Sequence, residues 1–86
     1  MNTTDILNER QQTHGDFATC AQIAQEIKLV IAANDNCLSH QKREALEMIA
    51  VKMARILNGG HNHKDSWQDI AGYAMLGGGL FTQKDK

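Results

Sequence analysis

Residues 45–57 read ALEMIAVKMARIL, and ten of these thirteen residues are apolar. Wound as an α-helix, such a run is coated nearly all round instead of along one stripe, so it belongs at the centre of a bundle or in a subunit interface. Its ends are marked. Ser39 stands where an N-cap would accept a backbone N–H, and Gly59, after Asn58, can take the left-handed conformation that closes a helix. The spacing therefore predicts a helix from Ser39 to about Asn58. Glu44, Glu47, Lys52 and Arg55 are the charged residues set into or beside it.

Working outward, residues 34–38, AsnAspAsnCysLeu, compete for backbone hydrogen bonds and predict a turn. Before it, Phe17, Cys20, Ala21, Ala24, Ile27 and Ile31 recur at steps of three and four, one stripe on a helix from Asp16 to near Asn34. Cys20 lies on that stripe and reads as core. A short first helix is expected over residues 3–13, capped by Thr3 or Thr4, contributing Ile6 and Leu7, and ended by His14 and Gly15. On the other side, a helix is expected from about Ser66 to Leu76, with Trp67 packed in the core and Gly72 marking a close approach. The glycines at 77–79 stop it, leaving residues 77–86 as a loose tail. Proline is absent, and β-branched and aromatic residues are too sparse for a sheet. The expectation is a single all-α domain over 1–86, with its core at about 5–76: a small bundle of about four helices, completed by oligomerisation.

Eighty-six residues hold one small core with little stability margin. Nine Lys and Arg against ten Asp and Glu give a net charge of -1, which argues against DNA or RNA as a partner. No apolar stretch approaches the roughly 20 residues that span a bilayer, and the polar start lacks the pattern of a secretion signal. The expected setting is the cytoplasm, with Cys20 and Cys37 reduced.

Glu44 and Glu47, three apart, lie within one helical turn, about 60° from each other around the axis. Asp65 and Asp69, four apart, open the next helix. Antiparallel packing of the two would gather carboxylates around one polar pocket, hard-oxygen chemistry suited to Mg²⁺ and phosphates. Lys52 and Arg55 could hold phosphate oxygens, and Tyr73, one turn after Asp69, could turn its hydroxyl to the same place. Structural roles compete: Asp65 as an N-cap with Gln68, and Glu47 paired with Lys52 or Arg55. His61, His63 and Asp65, with Cys37 and His40, do not follow a zinc-finger spacing. His14 suits a turn hydrogen bond, with a ligand or acid-base role as the alternative.

Taken together, THGDF (13–17), KMARIL (52–57) and DSWQDIAGYA (65–74) resemble a family of short proteins of tailed phages and prophages. That family is similar to the MazG-like all-α NTP pyrophosphohydrolases, which carry a YGD-like turn, a KxxR helix and a late DxxxYA helix. In MazG-like enzymes ExxE and ExxD motifs bind Mg²⁺, and water attacks a nucleoside triphosphate. The resemblance implies Glu44, Glu47 and Asp69 as metal ligands, Glu47 and Asp65 as catalytic groups, and Lys52, Arg55, His14 and Tyr73 around the nucleotide. Ser66 stands where ExxD has its first acid, so Asp65 would substitute from one residue back. It also implies a dimer or higher oligomer. Two functions follow: a Mg²⁺-dependent nucleotide pyrophosphohydrolase in the bacterial host cytoplasm, or a non-catalytic counter-defence protein that binds a nucleotide signal or inhibits a host protein.

Overall fold

The computed structural model describes residues 16–80. Among these are three α-helices and no strand: α1 Phe17–Asn34, α2 His40–Leu57 and α3 Lys64–Gly78. The expected first helix over 3–13, and His14, lie outside the described residues.

Local chemistry sets most of the helix ends. The Thr19 N–H and hydroxyl both donate to Asp16 Oδ2, at 3.0 and 3.1 Å, which caps α1. After Asn34 the Leu38 N–H donates to Asp35 Oδ1 at 2.9 Å, and Cys37 takes a φ of +78°, turning the chain back. Ser39 then caps α2 by accepting the Lys42 N–H at 3.1 Å. At its far end Gly59 has a φ of +116°, and the Gly60 N–H donates to the Arg55 carbonyl.

The last helix differs from its expected bounds at both ends. It starts at Lys64, with His63 at the cap position and no side-chain cap bond, so Asp65 lies in the first turn and does not cap. The His63 carbonyl accepts the Ser66 N–H at 3.1 Å, and Ser66 is buried inside the helix at 2 % exposure. Gly77 and Gly78 remain helical, and the stop falls at Gly79, whose φ is +65°. Two side chains of α2 reach across to hold this end: Gln41 Nε2 donates to the Leu76 carbonyl at 2.8 Å and Lys42 Nζ to that of Gly77 at 2.9 Å. Those bonds satisfy carbonyls that a helix terminus leaves without intrahelical partners.

Helix α2 lies at the centre and packs against both neighbours. Both run antiparallel to it. The Asn58 amide, after α2, donates to the Asp16 carbonyl, before α1, while Arg43 near the start of α2 meets Asp35 after α1. On the other side Lys52 pairs with Asp69, and Ala45 lies against Gly77. The buried apolar side chains among the described residues are alanines: Ala24, Ala45, Ala50 and Ala54. Leu46, Met53, Leu57 and Trp67 are exposed instead, Leu57 at 66 % and Trp67 at 54 %. The core placement expected for Trp67 is thereby corrected. Its Nε1 donates to the His61 carbonyl at 2.9 Å, which satisfies the indole in the preceding loop and leaves the ring outside.

At 100° per residue, the sides of α2 follow from these anchors. Arg43, Ala50 and Ala54 look toward α1, and Ala45, Lys52 and Ile56 toward α3. Leu46, Met53 and Leu57 line one open flank between them, and Glu44, Met48 and Arg55 the opposite one.

The close approach expected at Gly72 falls at Gly77. A Cβ built on Gly77 would stand 2.7 Å from Ala45 Cβ, whereas one on Gly72 would meet nothing within 4 Å. Gly77→Val is expected to cost about 1–3 kcal/mol through overpacking. Gly72→Ala should add up to about 1 kcal/mol by restoring helix propensity. Urea unfolding of the two variants checks both signs.

Candidate functional site

The acidic residues proposed from sequence sit on the two packed helices, with their charges in separate environments. Glu47 accepts from Arg43 Nε at 2.9 Å, one turn back on α2. The same guanidinium donates through Nη1 to Asp35 Oδ2 at 2.7 Å. Arg43 therefore holds two carboxylates and ties the start of α2 to the turn that follows α1. Asp69 accepts from Lys52 Nζ at 3.0 Å, joining α2 to α3. The Lys52 side chain is 12 % exposed, its stem covered between the helices, and it meets Asp69 at the surface, where that side chain is 47 % exposed.

These pairs differ from the expected pairing of Glu47 with Lys52 or Arg55. The reason is angular: Glu47 points toward the α1 side of α2, where Arg43 lies, and Lys52 toward the α3 side, where Asp69 lies. Arg43 carried no role in the sequence reading. Its i, i+4 spacing to Glu47 was the available signal; its reach to Asp35 depends on the turn.

Glu44 and Asp65 are exposed. Arg55 is half-buried on the same flank of α2 as Glu44. Tyr73 is half-buried and lines a pocket of about 320 Å³ with Leu38, Ala45, Leu46, Ile49 and Ala74, on the apolar flank. The structure thus brings Lys52 to Asp69, and does not gather Glu44, Glu47 and Asp69 around one point. Among the described residues no three His, Cys, Asp or Glu side chains come close enough to hold a metal ion. Glu47 and Asp69 are each paired with a different cation, Arg43 and Lys52.

Electrostatics single out the Asp35–Arg43 pair. The Leu38 N–H, and then the Arg43 guanidinium, hold the Asp35 carboxyl below its ordinary value of 3.8. Hydrogen bonds to Asp35, and then to Glu47, raise Arg43 above its own. An acid with a depressed pKa contributes stability that is complete above its unfolded value. That contribution is lost as pH falls through the lower folded value. Wild type should therefore lose stability below about pH 4 more steeply than Asp35→Asn, with the gap between them widest near neutrality. Denaturant midpoints from pH 2 to 7 measure this.

No helix among the described residues is long and apolar enough to cross a membrane. No curated protein and no solved structure matches the chain. A family model described as "Domain of unknown function (DUF6378)" matches residues 2–81, nearly the whole chain, and the protein belongs to that family.

Proposed function

We propose that this chain is a non-catalytic helical binding module, of the phage type and MazG-like in descent, that acts by docking on protein. The observation that carries this reading is an inversion of the usual arrangement. Alanines fill the described core, while Leu46, Met53, Leu57 and Trp67 stand outside, and two of the carboxylates a hydrolase would need, Glu47 and Asp69, are tied to Arg43 and Lys52. Exposed large apolar side chains on neighbouring helices are what a protein partner buries. In this reading the module works in the cytoplasm of a bacterial host, engaging a second copy of itself or a host protein, with a counter-defence role.

A second reading is favoured by one flank of the molecule. Glu44 and Arg55 share a side of α2, with the Lys52–Asp69 pair at its border. A Mg²⁺-dependent nucleoside triphosphate pyrophosphohydrolase would use Glu44, Glu47 and Asp69 as ligands there, after Glu47 and Asp69 had exchanged their cations for the metal. Asp65 and Arg55 would serve the nucleotide there, while Tyr73 lies in the pocket on the other flank.

Incubation of the purified chain with a panel of deoxynucleoside triphosphates and Mg²⁺ separates the two. The docking reading expects no pyrophosphate above the level of a Glu47→Ala control, and no Mg²⁺-dependent heat of nucleotide binding in calorimetry. Release that is abolished by Glu47→Ala establishes the hydrolase and removes the non-catalytic reading.

A further inference from the structure

The apolar flank carries a hole at one end and two knobs at the other. The hole is the 320 Å³ pocket, whose α2 lining centres on Ala45, Leu46 and Ile49 and whose α3 lining includes Tyr73 and Ala74. The knobs are Leu57, 66 % exposed at the end of α2, and Trp67, 54 % exposed in the first turns of α3. The antiparallel register of α2 and α3 puts both at the opposite end from the pocket, with Leu57 about 16 Å from Leu46 along α2. Helical rotation places them on the same flank as the pocket, together with Leu46, Met53, Ala71 and Ala74 on α2 and α3 and with Val30 on α1. The Trp67 indole is oriented by its bond to the His61 carbonyl at 2.9 Å, and tryptophan is among the residues that most often anchor interfaces.

A surface with a hole and a knob on one face is complementary to itself under a two-fold axis. We infer that two copies of this chain pack face to face with their α2 helices antiparallel, and that Leu57 and Trp67 of the partner subunit fill the pocket beside Leu46 and Ala74. The axis passes near residue 51, midway between pocket and Leu57. It lays α3 on the partner's α3, so that small Ala71 and Ala74 leave room for the incoming indole. Each face offers on the order of 600 Å² of exposed apolar surface, which a polar rim brings to the roughly 800 Å² per partner of a standard interface. Leu46, Ile49, Met53 and Leu57 run along the middle of the face, and the charged residue that lines the pocket, Lys42, has its ammonium bound to the Gly77 carbonyl at 2.9 Å. Burial of this face also gives the molecule the large-residue core that its alanines do not provide.

This inference names the partner of the docking surface proposed above and rests on that reading. Sedimentation equilibrium of the full chain should show a dimer, and the emission of Trp67, the one tryptophan, should shift to the blue as concentration rises. Leu57→Asp, at an exposed position, should weaken the dimer at least about tenfold while helicity is retained. In a Cys20→Ser, Cys37→Ser background, the Leu46→Cys, Leu57→Cys double variant should oxidise to a covalent dimer. Within one chain the two positions are too far apart to bridge, but the two-fold brings each to the other's partner. Either cysteine alone should leave monomers on denaturing gels. A monomer at all concentrations, a dimer indifferent to Leu57→Asp, or efficient linkage by a single cysteine overturns the proposal. Pyrophosphate release would instead remove the non-catalytic reading and leave the dimer standing.

Discussion

Close approach of helices at small residues is the constraint on which the rest of the structure depends. Ala45 lies against Gly77, where one further carbon would clash, and Ala50 and Ala54 are fully buried on the side toward α1. Small side chains let the backbones of α2 and its neighbours come together, and they bury little apolar area in doing so. Leu46, Met53 and Leu57 of the same run lie on an open flank, while Ile56 shares the side toward α3. A chain assembled this way is held by short-range van der Waals contact and by polar ties between helices, with much of its large apolar surface still exposed.

Those polar ties explain the behaviour of the charged residues. Arg43 joins Asp35 and Glu47 where α1 turns into α2. Lys52 reaches Asp69 across the α2–α3 contact, and Gln41 and Lys42 hold the carbonyls at the end of α3. The stem of Lys52 is largely covered, and its ammonium ends beside the half-exposed Asp69 carboxylate. Each of these carboxylates gives one oxygen to a protein cation, Glu47 to Arg43 and Asp69 to Lys52. Of the acidic pattern that reads as a metal motif, Asp69 fastens α3 to α2, Glu47 pairs within α2, and Glu44 and Asp65 are exposed.

The two flanks of α2 then take different roles. One is apolar, with a pocket at one end and exposed Leu57 and Trp67 at the other. The opposite flank carries Glu44 and Arg55 and borders the Lys52–Asp69 pair. Membership of the DUF6378 family covers nearly the whole chain, so both flanks belong to the family's unit.

Residue pattern alone is enough for the α-helical class, the runs that become α1 and α2, the cap at Ser39, the turn at residues 34–38 and the closure at Gly59. These depend on hydrogen bonds within three or four residues, and local chemistry decides them. It also marked residues 45–57 as central, since a helix apolar all round has no single inward face. Tertiary structure decided the rest. The start of α3 moved to Lys64 because His63, whose N–H closes a turn on the Gly60 carbonyl, accepts the Ser66 N–H at its own carbonyl. Its end moved to Gly79 because Gln41 and Lys42, more than thirty residues earlier, hold its last carbonyls. Spacing showed that Glu44 and Glu47 share a turn, but only the packing directions of α1 and α3 determined that Glu47 meets Arg43 and Asp69 meets Lys52. Whether a side chain points into a core or out of it depends on which neighbour covers that side of the helix, and for Trp67, Leu57 and Met53 no neighbour within the described chain does.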